Sequence, residues 1–162
     1  MNSLVIYASR SGNTQRIAEA IAEELRRRGP VELLVADEAP ATVAAGTDLV
    51  VIGGPTEAHG MTPPMTQLFD RFSPGTLAGM PAAAFDTRLR WPLLLSGSAA
   101  TRIADRLRHG DARLIGDPES FFVTRQPMLE VGELERAKAW AGSVAAAVEA
   151  GILRHPVGSA AG

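Results

Sequence analysis

Hydroxyl-bearing side chains, one glycine and one asparagine are concentrated in a short segment near the start of the chain. This first loop consists of Ser9, Arg10, Ser11, Gly12, Asn13 and Thr14. Hydroxyl groups can donate hydrogen bonds to a phosphate, glycine lets the backbone approach it closely, and a following helix adds unpaired N–H groups and its positive dipole end. The loop lacks the Gly-Lys-Ser/Thr ending of loops that bind a triphosphate with magnesium. It therefore favours the binding of a single phosphate monoester.

The same residue types also cap helices that bind nothing. Asn13 or Ser11 could accept hydrogen bonds from the first amide groups of the helix that follows. The loop by itself does not distinguish a capped helix start from a phosphate site, and both interpretations stay open at this point.

The elements around the loop alternate between strand and helix patterns. Five short apolar runs without clear alternation are typical of strands buried on both faces; they cover residues 4–7, 31–35, 49–52, 82–85 and 112–115. An apolar stripe formed by Ile17, Ile21 and Leu25 predicts the first helix, and Ile103 with Leu107 predicts a later one. Further helices are predicted over residues 64–72 and from 132 to about 150, whereas the second crossover is either a small helix or a loop.

Strands that alternate with helical crossovers predict an α/β fold with a doubly wound, five-stranded parallel sheet. Ligands bind such sheets beyond the carboxyl ends of the strands. Two further loops therefore deserve inspection, the glycine- and proline-rich one after the third strand and the one after the fourth. The latter brings Asp86, Thr87, Arg88, Arg90 and Trp91 to the same edge. Trp140, by contrast, lies on the inner stripe of the last helix and is predicted to be core.

The order and spacing of SRSGNT, GPTEAHG and FDTRLRW on this pattern resemble the flavodoxin-like family, in particular single-domain proteins of the actinobacterial type. The resemblance covers residues 4 to about 150 and implies the strand order 2-1-3-4-5. It implies FMN as the cofactor, with its phosphate in the first loop. The other cofactor-binding positions that it implies are Pro55, Thr56, Glu57, His59 and Gly60 in the second loop and Asp86, Thr87, Arg88 and Trp91 in the third.

Several roles stay open within this resemblance. Arg10 either pairs with the phosphate or points to solvent, and Glu57 either contacts a flavin hydroxyl or closes its turn. His59 is a candidate proton donor and otherwise an ordinary exposed loop histidine. Trp91 either stacks on the flavin ring or packs on the protein surface.

The resemblance implies an FMN-dependent redox protein, either an electron carrier or an oxidoreductase acting on a quinone-type or other small acceptor. The expected electron donor is a flavin reductase or NAD(P)H, and the acceptor is unknown. A flavodoxin-like module that binds no flavin is the alternative. A signalling receiver, which shares the fold, is disfavoured because Ser9 to Ser11 and Gly53 to Pro55 replace the carboxylates that it would need.

Two departures from shuttle flavodoxins affect this expectation. Such proteins are typically strongly acidic and enclose the flavin ring between two aromatic side chains, whereas this chain is nearly neutral and offers His59 and Met61 in the second loop. With His59, Arg88 or Arg90 near the ring, positive charge would stabilise the reduced flavin. We therefore expect a higher reduction potential than that of shuttle flavodoxins.

Length and composition set the remaining expectations. The 162 residues suit one domain, predicted over residues 1–152 and followed by a flexible tail over residues 153–162. With 16 basic and 18 acidic residues, the overall charge indicates neither a nucleic-acid-binding nor a strongly acidic protein. Cysteine is absent, which excludes disulfides and cysteine-ligated metals, and no metal site is predicted. The first residues resemble no leader, so we expect a cytoplasmic protein, and a homodimer is left open.

Overall fold

A computed structural model describes residues 1–57, 60–92, 94 and 97–154, with the side chains of residues 152–154 excepted. The strands are β1 (Ser3–Tyr7), β2 (Val31–Val35), β3 (Leu49–Pro55), β4 (Pro81–Leu89), β5 (Arg113–Leu114) and β6 (Glu119–Val123). The helices are α1 (Asn13–Arg26), α2 (Pro63–Arg71), α3 (Ala99–His109) and α4 (Glu133–Arg154). The second crossover begins with a single 3₁₀ turn, Ala36–Glu38.

The strands form one parallel sheet in the order β2-β1-β3-β4-β5, and β6 also pairs with β4. This confirms the predicted doubly wound fold. Side chains of successive strand residues alternate between the two faces. Val5 and Tyr7 pack in one apolar core with residues of α1 and α4, while Leu4 and Ile6 pack in a second core with residues of α2 and α3. Because both faces are covered, the strands carry continuous apolar runs.

The predicted fifth strand is wrong in its extent. Residues 112–115 contribute only the two-residue β5, which pairs with Pro81 and Ala82 at the start of β4. Gly116 then takes a positive φ of 71°, and β6 resumes the pairing alongside Phe85–Leu89. The segment therefore forms two short strands along one neighbour.

An aromatic cluster packs β6 and α4 against β4. The rings of Phe85, Phe121 and Trp140 meet edge to face, with centroids 6.1 to 6.2 Å apart. Such geometry places the positive edge of one ring on the negative face of another. The prediction that Trp140 belongs to the core is confirmed.

Two strands run further than predicted, and this changes the third loop. β3 continues to Pro55 and β4 to Leu89, so Asp86, Thr87 and Arg88 lie within a strand and not in a loop. Backbone pairing with β6 holds all three residues in extended conformation, and Asp86 and Thr87 also pair with β3 on the other side. We call residues 85–91, which are the last five residues of β4 and the two that follow it, the end of β4.

At the carboxyl end of the chain, α4 extends to Arg154, two residues into the predicted tail. Residues 155–162 lie outside the described residues, and the domain boundary stays a prediction. Among the helices in the described ranges, none has the length and apolar character needed to cross a membrane.

Candidate functional site

The first loop connects β1 to α1, and Ser9 caps the helix. Its Oγ accepts hydrogen bonds from the amide groups of Gly12 (3.1 Å) and Gln15 (3.3 Å). The sequence had suggested Asn13 or Ser11 for this role. Gly12 has a φ of 84° and turns the backbone. This turn brings the Ser9 hydroxyl to the first turn of the helix, where it takes the capping role.

Two amide groups at the start of α1 remain without a protein acceptor. The amide of Arg16 donates to the carbonyl of Gly12, but those of Asn13 and Thr14 meet no acceptor in the described part of the chain. The first turn carries no acidic side chain. An anion placed here would meet unpaired N–H groups and the positive end of the helix dipole. No carboxylate of the first turn would repel it.

The side chain of Thr14 is buried and points at the neighbouring strand. Its Oγ1 shares a hydrogen bond of 2.7 Å with Oγ1 of Thr87, and both residues are at most 4% exposed. A hydroxyl pair of this kind uses one hydroxyl hydrogen for the mutual bond and leaves the other for a further acceptor. The first loop and the end of β4 are therefore joined through these two residues.

Asn13 fastens the first loop to the segment that follows β6. Its Nδ2 donates to Oγ of Ser11 (3.2 Å) and to the carbonyl of Pro127 (2.8 Å). The side chain is thus committed to fixing the loop. Nothing in the sequence pairs Asn13 with Pro127, because 114 residues separate them.

The second loop is closed by a short antiparallel bridge. The amide of Glu57 donates to the carbonyl of Gly60, and the amide of Gly60 donates back to Glu57. The Glu57 carboxylate lies 3.6 Å from the guanidinium of Arg10, whose side chain is 83% exposed. The candidate His59 lies outside the described residues. Arg10 and Glu57 thus contact each other across the two loops on the protein surface.

Asp86 is fully buried, which corrects its prediction as an open-loop position. Its Oδ2 accepts hydrogen bonds from Oγ1 of Thr56 (2.8 Å), Oγ of Ser98 (2.7 Å) and the amide of Ala100 (3.0 Å). Its Oδ1 is buried and has no hydrogen-bond partner among the described residues. The residue connects the second loop with the start of α3.

Ser98 and Ala100 are site-forming residues that sequence reasoning missed. Ser98 is the N-cap of α3, and its hydroxyl also accepts from the amide of Thr101. A serine directly before the predicted helix around Ile103 was the available signal, since serine is a preferred N-cap.

The two arginines at the end of β4 turn toward β6. The guanidinium carbon of Arg90 lies 3.9 Å from the centroid of the Phe122 ring, and that of Arg88 lies 5.1 Å from it. Arg88 also donates to Oγ of Ser120, and Arg90 pairs with Glu130 at 2.8 Å. Arg88 and Arg90 thus contact residues of β6 and Glu130, and their positions do not support the expected high reduction potential.

Trp91 lies at the surface just beyond β4. Its side chain is 47% exposed, and its carbonyl accepts from Arg88. The contacts of Trp91 are compatible both with stacking on a cofactor and with packing on the protein surface, and the two interpretations stay open.

A cleft of about 300 Å³ lies beside the first and second loops. It is lined by Ser9, Arg10, Pro55 and Glu57 from those loops together with Tyr7, Ala8, residues 35–37 and residues 62–64. Burial, and to a lesser extent the carboxylates of Glu19 and Glu38, raise the pKa of Tyr7 above its usual value. The phenol therefore stays neutral and supplies an uncharged wall.

The residues present fit a phosphate-bearing cofactor. Unpaired amides of Asn13 and Thr14, the positive φ of Gly12 and the buried hydroxyl pair converge on the start of α1. An added Cβ at Gly12 would meet no atom within 4 Å, so the backbone there is open to a ligand. The direct contacts of the other predicted positions stay predictions.

Comparisons with known proteins agree with this geometry. The model of one protein family, described as the flavodoxin domain, matches residues 4–90, more than half of the chain. No curated protein sequence matches significantly. A flavodoxin from the domain Archaea is 22% identical, with a TM-score of 0.74, over 92% of this chain and 99% of its own.

Two further solved structures show the same fold. Flavodoxin 2 from Bacillus cereus is 23% identical, with a TM-score of 0.76, over 90% of this chain and 99% of its own. Rubredoxin oxygen:oxidoreductase from Desulfovibrio gigas is 19% identical, with a TM-score of 0.75, over 92% of this chain but 36% of its own. The fold thus occurs both as a whole protein and as part of a larger one.

Proposed function

Because the chain belongs to the flavodoxin domain family, a family of flavin-binding redox proteins, we propose that it binds FMN at the carboxyl edge of its sheet and passes electrons to a small acceptor. Family membership implies FMN as the cofactor. The electron donor, either NAD(P)H or a separate flavin reductase, and a quinone-type or other small acceptor are parts of the proposal.

The observation that carries the proposal is the start of α1. The amides of Asn13 and Thr14 meet no acceptor in the part of the chain that the structure describes, and the Thr14–Thr87 pair keeps one hydroxyl hydrogen available. Ser9 already satisfies the amides of Gly12 and Gln15, so the helix is capped without filling these positions. The start of α3 differs, because the amides of Ala99, Ala100 and Thr101 all donate to protein side chains and leave none for a ligand.

Each loop has a defined part in this proposal. The first loop holds the phosphate of FMN through backbone amides and hydroxyl groups. In this proposal the flavin ring lies between the second loop, which is closed by the bridge between Glu57 and Gly60, and the exposed Trp91. Bound FMN supplies the redox chemistry itself, and the protein orients it and limits access of water.

The binding test compares FMN with riboflavin, which lacks the phosphate. Fluorescence quenching of each flavin by the apoprotein should show that FMN binds at least about tenfold more tightly, since hydrogen bonds to charged groups are worth about 1.5–3 kcal/mol each. Equal affinity for FMN and riboflavin would contradict the proposed phosphate site. A protein that binds neither would instead be a flavin-free module, which is the alternative function.

The redox test follows the FMN-loaded protein without oxygen. Addition of NADPH or NADH with loss of the flavin absorbance would identify a direct oxidoreductase, and the absence of any reaction would indicate a carrier that needs a separate reductase. Addition of a soluble quinone to protein that has been reduced with dithionite tests the acceptor. Failure of the quinone to restore the absorbance would exclude a quinone-type acceptor.

A further inference from the structure

Two consecutive residues of β4 reach opposite faces of the sheet. Side chains alternate along a strand, so Thr87 points to the α1 and α4 face and Asp86 to the α2 and α3 face. The cores agree with this, because Phe85 belongs to the first and Ala84 to the second. We call Asp86 and Thr87 the β4 pair.

Thr87 contacts two of the loops at the carboxyl edge. Its Oγ1 shares the 2.7 Å hydrogen bond with Thr14 of the first loop, and its carbonyl accepts from the amide of Thr56 in the second loop at 2.9 Å. Thr14 is only 2% exposed, so the rotamer of its side chain depends on the hydrogen bond with Thr87. Thr87 therefore fixes the direction of the hydroxyl that the first loop offers.

Asp86 contacts the remaining parts of the edge. Its carboxylate holds Oγ1 of Thr56 and, on α3, the N-cap Ser98 and the amide of Ala100. Thr56 Oγ1 in turn accepts from the amide of Ala99 at 2.8 Å. A closed network of hydrogen bonds thus joins the second loop to the start of α3, with the buried carboxylate at its centre.

We propose that the β4 pair are positioning residues, which assemble the first loop, the second loop and the start of α3 into the arrangement that binds FMN. Thr87 acts through Thr14, and Asp86 acts through Thr56. The proposal rests on the proposed FMN binding. It differs from the sequence prediction, in which both residues contact the cofactor themselves.

Loops that are held in place before FMN arrives should bind it more tightly. A loop that is already held in its bound conformation loses less entropy when a ligand binds. Removing one of these hydrogen bonds should therefore weaken FMN binding although no contact with FMN is lost. The loss of FMN affinity should vanish for Thr87 when Thr14 has already been substituted, and for Asp86 when Thr56 has already been substituted.

The first arm of the experiment is a double-mutant cycle on FMN affinity, measured by flavin fluorescence. We expect Thr87→Val to weaken binding about fivefold to tenfold in the wild-type background and less than about twofold in the Thr14→Val background. Thr87→Ser keeps the hydroxyl and should restore binding. An equal loss in both backgrounds would show that Thr87 contacts FMN directly, and no loss in either would remove its positioning role.

Thr76→Val is the matched control for this arm. Thr76 Oγ1 also accepts a hydrogen bond within the protein, from the amide of Val43, but it lies at the opposite edge of the sheet. This variant should lose stability to a similar degree and bind FMN as the wild type does. A similar loss of FMN affinity in Thr76→Val would mean that the effect of Thr87→Val is a general consequence of destabilisation.

The second arm examines Asp86. Thr56→Val should weaken FMN binding about fivefold, while Thr56→Ser should not, and Asp86→Ala should add little in the Thr56→Val background. Should Asp86→Ala not fold, the comparison of Thr56→Val with Thr56→Ser still decides whether the hydroxyl partner of Asp86 affects binding. Equal affinity of these two variants would contradict the role of Asp86.

Amide hydrogen exchange of the apoprotein separates this inference from the proposed function. Thr87→Val should speed exchange of the hydrogen-bonded amides of Gln15 and Arg16 in α1 and of Thr56, with no flavin present. Thr76→Val should not have this effect. Unchanged exchange would overturn the positioning role even where FMN binds. Faster exchange in a protein that binds no FMN would overturn the proposed function and leave the coupling of the loops established.

Discussion

The first loop and the end of β4 were both predicted as cofactor loops, but they are built in different ways. In the first loop, the capping bonds of Ser9 reach residues three and six positions away. At the end of β4, Asp86 reaches Thr56 across 30 residues, and Thr87 reaches Thr14 across 73. Short-range bonds follow from local residue types, whereas the long-range bonds depend on which strands become neighbours.

Gly12 in the first loop and Gly53, which lies in β3 beside the end of β4, show the same contrast. Gly12 has a positive φ and open space around its missing Cβ, so its requirement is conformational and local. Gly53, paired with Phe85 across β3 and β4, would place a Cβ 2.3 Å from the Phe85 ring. That ring is fixed by Phe121 and Trp140 and cannot retreat.

The largest expected effect comes from exchanging these glycines for alanine. Gly53→Ala should lower the free energy of unfolding by about 3 kcal/mol through overpacking, and Gly12→Ala by about 1 kcal/mol through backbone strain. Urea unfolding of the two apoprotein variants measures both losses. A Gly12 variant as unstable as the Gly53 variant would show that Gly12 is required for packing and not only for its backbone conformation.

The next effect concerns the hydroxyl that belongs to both regions. Thr14→Val should weaken FMN binding by about 1.5–3 kcal/mol, because a hydrogen bond to a charged phosphate is lost. Isothermal titration of the apoprotein with FMN measures the change, and Thr14→Ser serves as the control that keeps the hydroxyl. Unchanged affinity in Thr14→Val would limit this hydroxyl to its bond with Thr87.

A smaller effect separates capping from ligand binding within the first loop. Ser9→Ala should destabilise the apoprotein by about 1 kcal/mol, since the amides of Gly12 and Gln15 lose their acceptor. Ser11→Ala should change the stability less, because the Ser11 hydroxyl accepts only from the side chain of Asn13 among its contacts in the described residues. Thermal unfolding of both variants measures this difference, and the opposite order would assign the cap to Ser11.

The smallest effect is expected at the exposed ion pair between Arg90 and Glu130. The hydrogen bond from Arg90 lowers the pKa of Glu130 below its ordinary value of 4.5. A lowered folded-state pKa gives a contribution to stability that is present above pH 4.5 and is lost as the pH falls through the lower folded value.

Glu130→Gln should therefore flatten the pH dependence of the exchange protection of the segment after β6. We expect a small loss of protection above pH 4.5 and little change at the acid end, where the wild-type carboxyl is protonated as well. Amide exchange between pH 3 and pH 6 measures it. An identical pH profile in Glu130→Gln and the wild type would show that the pair has no part in holding this segment.

Much of the fold could be predicted, and the errors have physical reasons. Apolar runs buried on both faces identified the parallel sheet, and Ile17, Ile21 and Leu25 identified α1. The end of β4 was misassigned because Asp86, Thr87 and Arg88 are polar and therefore suggest a loop. Pairing with β6, and for Asp86 and Thr87 with β3 as well, overrides that tendency by satisfying their backbone hydrogen bonds.

The sequence by itself determined the alternating architecture and a first loop with the chemistry to hold a phosphate, because helix caps, glycine turns and apolar periodicity are properties of neighbouring residues. Only the tertiary structure decided which polar side chains serve the site. It buried Asp86 and Thr87 as connections between loops, and it turned Arg88 and Arg90 toward Phe122. The reason is that a strand residue's direction and partners are fixed by the sheet register, and the register is set by residues far away in the chain.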